Sequence, residues 1–93
     1  MVELQHLLAE HLATPFPSGV VKGRDYGSVD PVMIGADIYG WASRVSMGEH
    51  LRSVDRDGLR LARDDLLRSL AAFPETARPY YEQLVRIATA ALS

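Results

Sequence analysis

Residues 59–91 read LRLARDDLLRSLAAFPETARPYYEQLVRIATAA, and this stretch decides the fold. In its first half Leu59, Ala62, Leu66, Leu70 and Phe73 recur every three or four positions, and in its second half Ala77, Tyr80, Leu84, Ala88 and Ala91 do the same. Spacing this close to a heptad marks two amphipathic helices. Pro74-Glu75-Thr76 between them is too short for anything but a tight turn, so the helices form an antiparallel hairpin. Pro79 is compatible with this because it falls in the first turn of the second helix, where its missing N–H would be unpaired anyway. Tyr80 and Tyr81 open that helix, and their apolar bodies and polar tips suit the rim of a core.

Working towards the N-terminus, Asp30-Pro31 resembles a helix start, with aspartate as cap and proline preset for the first helical position, and Met47-Gly48 resembles a stop. Between them Ile34, Ile38, Trp41, Ala42 and Val45 share one side, while Ala36, Gly40 and Ser43 make a small-residue strip on the other. This predicts a helix covered on both sides, with Trp41 largely buried. Gly35 and Gly40 each weigh against it by about 1 kcal/mol. The alternative is a short strand over 29–34 with the helix starting near Ala36. At the N-terminus, Val2–Ala13 places Leu4, Leu7, Leu8 and Leu12 at helical spacing opposite Glu3, His6 and Glu10, and the run Thr14-Pro15-Phe16-Pro17-Ser18-Gly19 ends that helix.

Gly19, Gly23 and Gly27 recur through the segment that follows, and no helical face can be drawn there. The segment reads as an ordered loop, with a hairpin of Val20-Val21-Lys22 and Asp25-Tyr26 as its one candidate strand pairing. Counted from Thr14 to Asp30 it exceeds the usual 12 to 15 residues of a structureless connection, which makes it a place to seek function. The expected architecture is an all-α bundle of about four helices with a C-terminal antiparallel hairpin and a long ordered loop. The alternative is an α+β chain with a short strand or hairpin in residues 19–34.

At 93 residues, with 47% hydrophobic and 24% charged side chains, the chain fits one folded domain spanning residues 1–93. A core this small has a thin margin, which favours self-association. The net charge of −2 gives no general attraction to nucleic acid or to an anionic membrane. No apolar run approaches the roughly 20 residues of a membrane span, and Glu3 and Glu10 interrupt the leucines where a signal peptide would be unbroken. The absence of cysteine excludes disulfides, thiolate ligands and a cysteine nucleophile, and favours a cytoplasmic location. Lys22 stands alone against nine arginines, and asparagine is absent, a bias typical of a GC-rich bacterial genome.

Most candidate constellations have a plainer account. Glu3, His6 and Glu10 share a helix face, but no second Glu-x-x-His motif answers them, so no metal is expected. His11 lies on the apolar side near a helix C-terminus, where the helix dipole favours an imidazole. His50 has no identifiable partner. Residues 53–64 resemble a calcium loop around Asp55-Arg56-Asp57-Gly58, yet Ser53 stands at the first ligand position, Asp64 at the last and Arg60 at the usual aliphatic one. Capping of a helix explains these carboxylates better. Arg52, Arg56, Arg60 and Arg63 line one side of the third helix if it reaches back to Leu51, a stripe that could meet phosphates, but Asp57 and Asp64 lie beside it. Neither phosphate-binding glycine pattern nor a Gly-x-Ser-x-Gly elbow occurs.

What remains is a polar and aromatic group in mid-chain: Arg24, Asp25, Tyr26, Asp30, Asp37, Tyr39, Trp41 and Arg44. A ligand site is expected there if anywhere. With no catalytic constellation and no cofactor implied, the expected function is that of a small cytoplasmic, non-enzymatic interaction protein that self-associates. The self-association rests on Leu61 and Leu67, off the main stripe of the third helix, and on Val85 and Leu92 of the fourth. The alternatives are a small-molecule site or enzyme using the loop and central-helix carboxylates, and nucleic-acid binding through the arginine stripe.

Overall fold

The computed structural model describes residues 2–93. It contains four α-helices: α1 (Val2–Ala13), α2 (Met33–Ser46), α3 (Ser53–Ser69) and α4 (Arg78–Leu92). Single 3-10 turns at Leu70–Ala72 and Glu75–Ala77 finish α3 and open α4. No strand forms among the described residues, so the all-α reading holds and the α+β alternative falls. The 20–26 hairpin does not form either. Instead Tyr26 and Val29 exchange two backbone hydrogen bonds of 2.9 and 3.1 Å around Gly27-Ser28, an isolated bridge too short to be a sheet.

The C-terminal hairpin is antiparallel as its spacing requires. At the open end, the Arg56 guanidinium near the start of α3 donates to the Leu92 carbonyl at the end of α4, at 2.6 Å. Leu59, Leu66, Phe73, Ala77, Leu84, Ala88 and Ala91 are all buried. The stripe on α4 needs one correction, because Tyr81 rather than Tyr80 continues it and is fully buried. α4 packs against α1, α2 and α3 together, so its apolar band is wide enough to include Ile87 and Ala90 as well. The Tyr81 hydroxyl is satisfied in this core by donating to the Pro31 carbonyl at 2.9 Å. Phe73 stacks on Tyr81 at 4.0 Å between ring centroids, and Tyr26 stacks on Phe73 at 4.8 Å.

α2 begins and ends as its sequence dictates. One Asp30 carboxylate oxygen accepts from the Val32 and Met33 amides at 2.9 and 2.8 Å, and Pro31 behind it is fully buried. At the far end Gly48 adopts φ +90°, and the Gly48 and Glu49 amides donate back to the Val45 and Arg44 carbonyls. This paired return is the left-handed glycine stop. The expectation of a helix covered twice is not met. Ile34, Ile38 and Ala42 face the core, whereas Ala36, Asp37 and Gly40 are exposed and Trp41 is only half-buried. α2 packs its Ile34, Ile38 and Ala42 side on α4 and its neighbours, and no element among the described residues covers the side with Ala36, Asp37 and Gly40.

The long loop is pinned to the closed end of the hairpin. Val20, Tyr26 and Val29 are buried, and the Tyr26 hydroxyl accepts from the Val21 amide at 2.9 Å. The Ser69 hydroxyl, buried at the end of α3, accepts from the Ser28 amide at 3.1 Å. Gly27 makes that approach possible: its φ is +61°, and a Cβ there would lie 2.5 Å from the Ser69 hydroxyl. No helix among the described residues is long and apolar enough to cross a membrane.

Candidate functional site

The mid-chain group does not converge on one point. Tyr26 is a core residue, Arg24 lies 6.0 Å above its ring, and Asp25 is exposed on the loop. Arg44 sits at the far end of α2, where it meets Asp55 at the start of α3 at 3.4 Å and Glu49 in the connection between them at 3.5 Å. Tyr39 turns away towards α1, 5.8 Å from the His11 ring. Asp30, Asp37 and Trp41 do come together, lining one cleft of about 330 Å³ between α2 and α3.

The floor of that cleft follows from α3. Glycine inside a helix costs about 1 kcal/mol relative to alanine. Gly58 gives room for the Trp41 indole, since a Cβ there would stand 2.9 Å from the ring. The benzo end of the indole thus sits against Gly58, and Trp41 packs on the edge of the core instead of inside it. Leu61 and Ala62 on α3 and Met33 and Ile34 on α2 add apolar surface. Leu61 is 60% and Met33 57% exposed; Leu12 and Met47 are more exposed elsewhere, but Leu61 and Met33 line one cleft together.

Around this apolar centre stand three carboxylates: Asp30 just before α2, Asp37 from α2 and Asp65 from α3. Asp30 spends one oxygen as a helix cap, and Asp65 pairs with Arg68 on its own helix. Asp37 is exposed and makes no hydrogen bond or ion pair among the described residues. No lysine, arginine or histidine lines the cleft among the described residues. Neither Leu61 nor Asp65 was singled out for this site by sequence. Leu61 carried a signal as an apolar residue off the main stripe, but Asp65 carried none, because its role depends on which face of α3 meets α2.

A second cluster surrounds His11 in the last turn of α1. Its ring lies 5.1 Å from that of Tyr80 and 5.8 Å from that of Tyr39, and Phe16 meets Tyr80 edge-on at 5.8 Å. The His11 Nδ1 is buried without a hydrogen-bond partner. Burial pushes the imidazole below its usual pKa of 6.5 and the Tyr80 phenol above its usual 10. The Tyr81 phenol is also raised, first by burial and then by its neighbours Tyr80, Tyr26 and Asp30.

The other constellations resolve into structure. Ser53–Asp64 is continuous helix, which rules out the wrapped geometry of a calcium loop. α3 starts at Ser53, so Arg52 only precedes it, and three of the four stripe arginines are occupied. Arg56 binds the Leu92 carbonyl, Arg60 pairs with Asp57 at 3.2 Å and Arg63 with Asp64 at 3.1 Å. Among the described residues no group of three or more histidine and carboxylate side chains could hold a metal ion. Glu10 instead accepts from Gln83 on α4 at 3.4 Å, while Glu3 and His6 are exposed. Compared with protein-family models, curated proteins and solved structures, the chain matches none.

Proposed function

We propose that the protein is a non-enzymatic interaction module that meets a protein partner through the cleft between α2 and α3. The observation that carries this reading is the exposure of Met33 and Leu61 around a half-buried Trp41 in a cleft rimmed by carboxylates. A half-buried tryptophan in a cleft, with large aliphatic side chains beside it and polar groups around it, has the anatomy of an interface centre and rim. Catalysis has less support, because no histidine, cysteine or lysine lines the cleft among the described residues to act with the carboxylates. Phosphate binding has less again, since carboxylates repel it and most of the arginine stripe is already paired. The cysteine-free sequence fits a reducing compartment such as the bacterial cytoplasm.

Site-specific photo-crosslinking tests the reading. A photoreactive phenylalanine analogue in place of Leu61 should give a discrete cross-linked protein product in cells that make the protein. The same replacement at Leu67, exposed on another face of α3, should not. Products at both positions alike, or at neither, would overturn the assignment of this face.

A further inference from the structure

Resting on the interaction reading, we infer that the occupant of the α2–α3 cleft is a basic amphipathic helix supplied by a different protein. Two features of the cleft act together. Its centre is apolar, formed by Trp41, Leu61 and Met33, and carboxylates flank it: Asp37 on α2, unpaired among the described residues, Asp30 capping the start of α2, and Asp65 on α3, which shares its charge with Arg68. A helix laid in such a groove anchors through apolar residues at three- and four-residue spacing. Lysine or arginine stems beside those anchors continue the apolar contact, while their charged ends reach the walls. Asp37, in the second turn of α2, is the carboxylate left free for such a cation, while Asp30 at the start of α2 keeps one oxygen on its cap.

The same charges argue against a second copy of this chain. A twofold contact sets a patch against itself, which would bring Asp37 towards the carboxylates of the other copy, and among the described residues no basic side chain lines the cleft, Arg68 being held by Asp65 at its rim. Leu61 and Leu67 cannot form a continuous dimer stripe either, since six positions on a helix place them about 120° apart. Val85 and Leu92 are half-buried within the chain.

Selection from a displayed library of random peptides, each roughly 15 residues or about four helical turns long, provides the test, with the full chain as bait. The enriched peptides should carry lysine or arginine beside large apolar residues at helical spacing. A synthetic copy of one should shift the Trp41 emission on binding. Its affinity should fall about tenfold or more with Asp37→Lys and fall on raising the salt from about 0.05 to about 0.5 M. Leu67→Asp should leave it unchanged. Asp37 is exposed and unpaired among the described residues, so the Asp37→Lys protein should keep its helical circular dichroism. Enrichment of acidic or uncharged peptides, binding indifferent to Asp37→Lys, or a dimer of the chain dissolved by Leu61→Asp would each overturn the inference. A partner cross-linked at position 61 together with a failed basic selection would leave the interaction reading standing and this inference refuted.

Discussion

Single atoms decide two features of this molecule. The first is the missing Cβ of Gly27, which permits φ +61° and brings the loop against Ser69. Gly27→Ala would incur the left-handed penalty of about 1–2 kcal/mol and add overpacking of about 1–3 kcal/mol. A drop of at least 2 kcal/mol in unfolding free energy, on the order expected from those terms, should appear in urea titrations; an unchanged midpoint would mean that the loop is not held against α3. The second is the buried Nδ1 of His11. Because burial lowers the folded-state pKa below 6.5, the unfolded chain binds the proton more readily, and stability falls as pH drops through 6.5 towards the folded-state value. Above 6.5 both states are neutral and the effect vanishes. His11→Phe keeps the aromatic packing with Tyr39 and Tyr80 while removing the titration. The stability difference between wild type and variant should therefore shift against the wild type between about pH 7 and pH 5. A difference that stays flat over that range would refute the role of His11.

At the scale of the elements, the period of the apolar residues made the hairpin, α1 and both ends of α2 legible, because each depends on neighbours in sequence. What it left ambiguous was rotation about a helix axis. Ala77-Tyr80-Leu84 and Ala77-Tyr81-Leu84 both read as near-heptad steps, and tertiary contacts select Tyr81, the Phe73 ring and the Pro31 carbonyl 50 positions away among them. Tyr81→Phe should cost about 1–2 kcal/mol, since a buried carbonyl loses its donor with no change in ring packing. Loss of much less would show that water reaches that carbonyl. The cleft was half legible for the same reason: Asp30, Asp37 and Trp41 belong to α2 and its cap, while Leu61 and Asp65 join them only through packing. Trp41 was expected inside because its neighbours Ile38 and Val45 are apolar, but Gly58 offers it a seat between helices. Gly58→Ala tests that seat. The alanine gains about 1 kcal/mol of helix propensity and must displace the indole, so Trp41 fluorescence should shift while stability changes little. An unaltered spectrum would show that the indole does not rest on Gly58.

For the whole molecule, the balance between core and surface bears on its state in solution. A chain of this size was expected to pair with itself because its core is small. The structure supplies two compensations within one chain. α4 is buried on several sides at once, so Tyr81, Leu84, Ile87, Ala88 and Ala91 meet three helices instead of one. The loop, which adds nothing to the helices, still contributes Val20, Tyr26 and Val29 to the same core and extends its aromatic stack through Phe73 to Tyr81. Among the exposed apolar side chains, Leu12 and Leu67 do not line the cleft that holds Met33 and Leu61, and that cleft carries carboxylates. Two copies meeting there would gain apolar contact but oppose like charges, a term that weakens with salt whereas apolar burial does not. The expected outcome in light scattering is a monomer mass across a concentration series at low salt, with any association appearing only as salt screens the carboxylates. A dimer that is stable at low salt and insensitive to Asp37→Lys would place self-association on another surface and return the second copy to first place among partners.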